Sequence, residues 1–122
     1  MRKGVLHTTE GHWNDGLAVF RQHFAPHFDF LDEQSPALAA DIAARGQRIV
    51  TFLLYLNDDY AGGETAFPAL GLHHRGRCGD ALMFANVDLA QRPDPQTLHA
   101  GLPPQRGQKW VLSQWIRNRA PA

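Results

Sequence analysis

The chain has 122 residues, 43% of them hydrophobic and 20% charged, which suits one hydrophobic core and excludes two. Twelve basic residues balance twelve acidic residues, so the charge disfavours nucleic acid and anionic membrane surfaces as partners. No stretch approaches the roughly 20 apolar residues that span a bilayer, and the single cysteine excludes an internal disulfide, so we expect a single domain over residues 1–122 in the cytoplasm.

The N-terminal part of the chain carries mixed signals. In residues 1–22 and just beyond, only "LAVFRQHF" favours an element, either a helix or a strand. The aromatic segment "FAPHFDFL", residues 24–31, is extended in character because Pro26 has no N–H and disfavours helical angles in the residue before it. We therefore predict a strand here, either irregular or at the edge of a sheet.

A short helix is predicted over residues 35–46. Ser35 suits the N-cap, Pro36 suits the first helical position and Gly46 suits the end of an alanine-rich body. The next segment, "RIVTFLLYL" at 48–56, is apolar on both faces and predicts a strand that is covered on both sides.

Short strands are predicted for most of the remaining chain. The candidates are "ETAFPAL", "GLHHR", "DALMFANV" and "KWVLSQWIR", separated by glycine-rich turns and by the polar loop "VDLAQRPDPQ". One helix followed by many short strands indicates a β-sandwich or barrel with the helix packed outside. The predicted fold class is therefore mainly β with a short helix.

The segment "HFD" offers two candidate metal ligands, His27 and Asp29. On a strand, residues two apart project from the same face, so an imidazole nitrogen and a carboxylate oxygen can converge on one ion. His99 is the candidate third ligand. Two histidines and one carboxylate on one face of an octahedron are characteristic of non-haem Fe(II) oxygenases. A histidine two residues from an aspartate is also common by chance, and the spacing alone does not decide between the two interpretations.

Other histidine pairs suit a metal less well. His23 and His27 have the spacing of a helical zinc pair, but Pro26 lies between them and no glutamate of an "HExxH" motif is present. His73 and His74 are adjacent, so on a strand they point to opposite faces. We expect both to lie at the surface.

Alternation in "KWVLSQWIR" places Lys109 and Ser113 on the same face as apolar side chains. An inward Lys109 would need an anion, which a dicarboxylic cosubstrate could supply with its far carboxylate, bonded also to Ser113, while its other end chelates the metal. The alternative is that Lys109 extends to solvent from the start of the strand. Tyr55, on one face of the strand at 48–56, likewise needs a partner for its hydroxyl, unless it only packs in the core.

The chain resembles the prolyl 4-hydroxylase family of Fe(II)- and 2-oxoglutarate-dependent dioxygenases. The resemblance covers about residues 24–117 and rests on motifs in the family's order: "FAPHFDF", "GQRIVTFLLYLND", "GGETAFP", "GDALMF", "LHAGLPPQRGQKW" and "SQWIR". Each motif is weak alone, whereas the ordered set is specific. The resemblance implies a double-stranded β-helix, which is a distorted jelly roll. It also implies hydroxylation of a prolyl or other aliphatic carbon in a peptide, protein or small molecule, with release of succinate and CO₂.

The resemblance further implies the roles of individual residues. The implied Fe(II) ligands, and hence the catalytic centre, are His27, Asp29 and His99. Lys109 would bind the distal carboxylate of 2-oxoglutarate, with Tyr55 and Ser113 beside the cosubstrate. The implied cofactors are Fe(II), 2-oxoglutarate, O₂ and L-ascorbate. Because Asp29 is retained where halogenating relatives lack a carboxylate, hydroxylation is favoured, and "GGET" and "GDALMF" are expected to shape turns and core rather than chemistry.

The N-terminal segment departs from the family. Members usually carry a longer N-terminal part with helices, strands and a "Y-x-P-G" segment, so we expect a poorly matching segment over 1–22, a catalytic core over 23–119 and a β-helix that is incomplete at its N-terminus. An alternative is a truncated, non-catalytic remnant that at most binds a metal or a partner. Exposed sheet edges would favour a homodimer.

Overall fold

Antiparallel strands dominate the structure, a computed structural model that describes residues 5–8, 17–21 and 24–119. Those ranges contain one α-helix, α1 (Pro36–Arg45), and eleven strands. The strands are β1 (Val5–Thr8), β2 (Leu17–Arg21), β3 (Phe24–His27), β4 (Arg48–Tyr55), β5 (Ala61–Gly62), β6 (Thr65–Phe67), β7 (Leu72–His74), β8 (Ala81–Ala85), β9 (His99–Gly101), β10 (Pro104–Arg106) and β11 (Trp110–Arg117). None of the described helices is long and apolar enough to cross a membrane.

The strands form two larger sheets and one small ribbon. The larger sheet has the order β1-β2-β11-β4-β8, the smaller sheet has the order β3-β9-β6-β7, and β5 pairs with β10. Without β1 and the ribbon, eight strands remain. In chain order, the first, eighth, third and sixth of them lie in one sheet, and the second, seventh, fourth and fifth lie in the other. This arrangement is a double-stranded β-helix, so the predicted fold class is confirmed.

The predicted helix is confirmed as α1, with Ser35 at its N-cap and Gly46 at its C-cap. Gly46 has φ +85°, and a Cβ there would lie 2.4 Å from the Asn118 side-chain oxygen, so both the backbone and the space require glycine. Arg117, at the end of β11, donates to the Gly46 carbonyl at 3.0 Å and to the Asp41 carboxylate at 3.1 Å. These bonds tie α1 to the larger sheet.

The central strand β4 has one buried and one partly covered face. Thr51, Leu53 and Tyr55 are buried, whereas Phe52 and Leu54 on the opposite face are only half-buried. The predicted strand is present, but the expectation that it is covered on both sides is wrong for the second face. Leu53 and Tyr55 form the core with Val111 of β11, and each such buried side chain contributes about 1.5–3 kcal/mol.

The structure contains a strand in each of two N-terminal segments. The ambiguous "LAVFRQHF" contains a strand, since Leu17–Arg21 is β2 and pairs with β11 in the larger sheet. The strand predicted over 24–31 is shorter than expected, and β3 ends at His27. It lies at the edge of the smaller sheet and its pairing with β9 is irregular, as predicted for a strand that contains Pro26. Asp29 therefore lies on the bend that follows β3 and not on a strand.

Candidate metal and cosubstrate site

Three side chains from two distant segments of the chain meet at one end of the space between the two larger sheets. His27 ends β3 and His99 begins β9, and the two residues are direct partners in the smaller sheet. The bend after β3 turns Asp29 toward them. One potential ligand atom from each of the three residues lies within 4.8 Å of the others. The predicted metal ligands are thus brought together, although Asp29 arrives by a bend rather than by strand alternation.

Hydrogen bonds orient both imidazole rings. Nδ1 of His27 lies 2.8 Å from the Ala25 carbonyl, and Nδ1 of His99 lies 2.8 Å from the Thr97 carbonyl. A carbonyl only accepts, so each Nδ1 carries its proton and each Nε2 is left to face the Asp29 carboxylate. The Nε2–Oδ distances are 3.2 Å for His27 and 3.4 Å for His99.

This donor set fits a divalent cation. Two Nε2 lone pairs and a carboxylate would repel one another unless a proton or a cation lies among them. One metal ion satisfies all three groups at once, and a set of two histidines and one carboxylate suits Fe(II) with open coordination positions. The residues present therefore fit the iron that the sequence implies.

A buried chain of hydrogen bonds supports the carboxylate. Thr51 donates to Asp29 Oδ2 at 2.8 Å, and the Asn86 amide donates to the Thr51 oxygen at 2.8 Å. Burial by itself would raise the pKa of Asp29, but its contacts with the two imidazoles and the Thr51 bond outweigh burial and hold that pKa well below its usual range. The carboxylate is thus ionised and fixed in orientation, as a ligand must be.

Aromatic rings enclose His99, which is only 3% exposed. The ring centroid of Phe84 lies 4.9 Å from that of His99, and the centroid of Phe67 lies 5.6 Å from it. The two phenyl rings also meet edge to face, with their centroids 5.1 Å apart. These contacts shield the imidazole from water on its apolar side.

Lys109 is fully buried at the other end of the same space. Its Nζ donates to the Gly63 carbonyl at 2.8 Å and to the Thr65 hydroxyl at 3.2 Å, and lies 5.3 Å from the Tyr55 ring centroid. Within the described ranges no carboxylate forms an ion pair with it. Burial, partly opposed by Glu64 and assisted by Arg75, lowers the pKa of Lys109 to about 8. A buried ammonium with only neutral partners fits a carboxylate ligand.

Tyr55 joins the two sheets beside Lys109. Its hydroxyl forms a 2.8 Å hydrogen bond with the Thr65 hydroxyl, and burial raises the pKa of Tyr55 to about 12. A Cβ at Gly76 would lie 2.3 Å from the Tyr55 ring, so only glycine lets the ring lie there. The partner that the sequence required for the tyrosine hydroxyl is therefore Thr65.

Strand register orders the inward side chains between the two ends. Tyr55 lies opposite Val111 at the lysine end, Leu53 lies opposite Ser113 in the middle and Thr51 lies opposite Trp115 at the metal end. Thr51 and Tyr55 are four residues apart, or ~13 Å along the strand. Ser113 is buried on this face, but the described hydrogen bonds of Lys109 go to Thr65 and Gly63, so a role for Ser113 beside the distal carboxylate stays a prediction.

The segment between His99 and Lys109 is more than a turn. It contains β10, which pairs with β5 in the small ribbon, before the chain crosses to the larger sheet. His99 of β9 and Lys109, which directly precedes β11, therefore approach the site from opposite sheets.

The motif "GGET" does more than shape a turn. Gly62 and Gly63 both have φ +70°, as a tight turn requires. The same motif also supplies the Gly63 carbonyl and the Thr65 hydroxyl that hold Lys109. The expectation that this motif serves only structure is therefore incomplete.

Sequence reasoning also missed several polar residues of the site, namely Thr51, Thr65, His74 and Asn86. Alternation placed Thr51 on the same strand face as Tyr55, and a buried threonine needs a partner, so that signal was present. His74 was expected at the surface with His73, but His74 is half-buried, its Nε2 is buried and its ring lies 5.5 Å from the Tyr55 ring. For this histidine the expectation was wrong.

Comparisons with known proteins agree with this geometry. The family model described as the 2OG-Fe(II) oxygenase superfamily matches residues 16–117. The chain is 32% identical over 116 residues to prolyl 4-hydroxylase 1 of Arabidopsis thaliana, covering 82% of this chain and 38% of that protein. It is 35% identical over 96 residues to prolyl 4-hydroxylase subunit alpha-1 of Homo sapiens, covering 79% of this chain and 18% of that protein.

A solved structure shares the fold. The chain superposes with a TM-score of 0.70 and 30% identity on the viral collagen prolyl hydroxylase of Paramecium Bursaria Chlorella virus-1 in its 2OG complex. The match covers 88% of this chain and 61% of that one. This chain spans less than half the length of the two curated relatives above.

Proposed function

Because the chain belongs to the 2OG-Fe(II) oxygenase superfamily, we propose that it is an Fe(II)- and 2-oxoglutarate-dependent dioxygenase. One observation carries the proposal. The three candidate metal ligands lie at one end of the interlayer space, and the buried Lys109, which has no described carboxylate in contact, lies at the other end. A metal at one end and an ammonium at the other match a ligand that chelates through one end and carries a carboxylate at the other.

The chain's own residues would bind and orient. His27, Asp29 and His99 would hold the metal, and the Thr51 bond would keep the Asp29 carboxylate in place. When bound, Fe(II) with 2-oxoglutarate and O₂ supplies the oxidising chemistry, in which the 2-oxo acid ends as succinate and CO₂ while a C–H bond of the substrate is hydroxylated.

Other residues would hold the cosubstrate and exclude water. Lys109 would anchor the distal carboxylate, with Tyr55 and Ser113 lining the space beside it. The Phe67 and Phe84 rings would keep water from His99. The protein thus contributes ligands, orientation and a dry site rather than a reactive group of its own.

Anaerobic titration of the protein with Fe(II) and then 2-oxoglutarate tests the proposal. The chelate has a weak visible absorption band, which we expect for the wild-type protein and for His73→Ala, whose histidine is exposed. His99→Ala should lose the band. A wild-type protein without the band, or a band that survives His99→Ala, would contradict the proposal and would favour the non-catalytic alternative.

The substrate is proposed by class. The relatives are named prolyl 4-hydroxylases, so we propose a prolyl or other aliphatic carbon in a peptide, a protein or a small molecule, with L-ascorbate as a supporting reductant. Succinate release across a panel of proline-containing peptides and free amino acids tests this choice. A cytoplasmic location and a homodimer are also proposed, and light scattering after gel filtration tests the dimer.

A further inference from the structure

His74 faces the interlayer space at the lysine end. It lies on β7 directly opposite Thr65 of β6, and opposed residues in an antiparallel pair share a face. The Thr65 hydroxyl points between the sheets, since it contacts both Lys109 and Tyr55. The neighbouring residue His73 is exposed, as alternation on a strand requires.

The His74 side chain brings an unused polar atom to this space. Its ring centroid lies 5.5 Å from that of Tyr55, whose ring also borders the Lys109 ammonium at 5.3 Å. The Nε2 atom of His74 is buried and has no hydrogen-bond partner among the described residues. Buried polar atoms are nearly always hydrogen-bonded, so this atom calls for a partner that the described chain does not supply.

A carboxylate has enough acceptor sites to bond both groups beside the Tyr55 ring. It has two oxygens and about four lone-pair sites, and one ammonium does not saturate them. Lys109 already gives two of its three donors to Gly63 and Thr65, so it has one left for the ligand. An imidazole N–H can bond the second oxygen, which adds a second direction to a contact that a lysine alone makes as a point charge.

We propose that His74 donates from Nε2 to the distal carboxylate of the cosubstrate, and that it helps to select a dicarboxylic 2-oxo acid over a monocarboxylic one. The proposal rests on the proposed function, because the ligand at this end is the cosubstrate. His74 thereby becomes a specificity-determining residue, and it acts at the end of the site away from the metal.

Calorimetric titration with two ligands tests the proposal without reference to turnover. The ligands are 2-oxoglutarate and 2-oxopentanoate, which keeps the chelating 2-oxo acid and lacks the distal carboxylate. Each is titrated into protein loaded with Mn(II), a stable substitute for Fe(II). The variants are His74→Ala, His74→Gln, which keeps an N–H donor, and the matched exposed control His73→Ala. Thermal unfolding of each variant checks that it is folded.

His74→Ala should weaken 2-oxoglutarate binding about tenfold, and 2-oxopentanoate binding less than about twofold. His74→Gln should recover part of the loss, and His73→Ala should match the wild type with both ligands. An equal loss for both ligands would show a merely structural role, and no loss for either would show no role; both results overturn the proposal. If wild-type protein bound neither ligand, the proposed function itself would fail, which distinguishes the two failures.

Discussion

The two ends of the interlayer site differ in how their charges are compensated. At the metal end, the Asp29 carboxylate accepts from Thr51 and faces the Nε2 atoms of two imidazoles, so these three groups need a proton or a cation among them. At the lysine end, the Lys109 ammonium has a carbonyl, a hydroxyl and an aromatic ring as its partners, with no described carboxylate in contact. The metal end is arranged to bind a cation. The lysine end lacks an anion, which a bound ligand would supply.

This difference has consequences for stability. The contacts of Asp29 favour its ionised form, while the buried Lys109 ammonium without an anion costs stability until a ligand binds. Natural proteins retain such destabilising groups at sites where function requires them. We therefore expect substitutions at the metal end and at the lysine end to differ in their effects on metal affinity, 2-oxoglutarate affinity and stability.

Loss of the carboxylate should have the largest effect. Asp29→Ala removes one of three ligands, so we expect metal affinity to fall at least about 100-fold, beyond the 10- to 100-fold cost of losing an outer partner. Titration with Mn(II) followed by electron paramagnetic resonance measures this. Asp32→Ala is the matched control, because Asp32 is an exposed carboxylate three residues along the same segment. Similar losses in both variants would contradict the assignment of Asp29.

Removal of the buried cation should separate stability from binding. In Lys109→Met, affinity for 2-oxoglutarate should fall about 100-fold, because the distal carboxylate loses the buried ammonium. The free energy of unfolding of the ligand-free protein should rise by about 1–3 kcal/mol, because an uncompensated buried charge is gone. Calorimetry and urea unfolding measure the two quantities. Arg106→Met, which removes an exposed cation, should change neither by much, and a destabilised Lys109→Met would refute this view of the lysine end.

Reciprocal threonine substitutions should sharpen the comparison. Thr51→Val removes the hydrogen bond to Asp29, so we expect metal affinity to fall about tenfold with little change in the affinity of the lysine end for 2-oxoglutarate. Thr65→Val removes a partner of Lys109, so 2-oxoglutarate affinity should fall several-fold with metal affinity unchanged. Each variant is the control for the other. If both variants lost both affinities equally, the two ends would not be independent.

A change of pH should alter the lysine end without any substitution. With a pKa of about 8, Lys109 loses its proton above pH 8, so 2-oxoglutarate affinity at pH 9 should be about tenfold weaker than at pH 7. Because this folded-state pKa lies below the ordinary value of 10.5, the unfolded chain binds more protons between these values. The ligand-free protein should therefore gain stability from about pH 8 to 10.5. Lys109→Met should flatten both profiles; a wild type whose binding does not change with pH would contradict the expectation.

Local patterns predicted much of the fold and the candidate residues. Capping residues and alanine content identified α1, apolar and β-branched runs identified β4 and β11, and alternation grouped their side chains by face. The same alternation grouped Lys109 with Ser113 and Thr51 with Tyr55, and all four side chains are buried, although alternation left open whether Lys109 points inward. Alternation did not give the end of β3 at His27, because the edge strand ends where its irregular pairing with β9 ends. Nor did it distinguish His74 from an ordinary surface residue, since burial at a sheet edge depends on what lies across from it.

The sequence by itself determined which groups are available, namely two histidines, an aspartate and a lysine. The local sequence pattern around each of them predicts a position on a strand or next to one. Only the tertiary structure decided their partners. Pairing of β3 with β9 brings the histidines together, a bend rather than a strand delivers Asp29, and the packing of one sheet on the other places Thr65 and His74 around the Tyr55 ring beside Lys109. The physical reason is that strand alternation is a local property, whereas hydrogen-bond partners and burial arise from contacts between segments far apart in the chain.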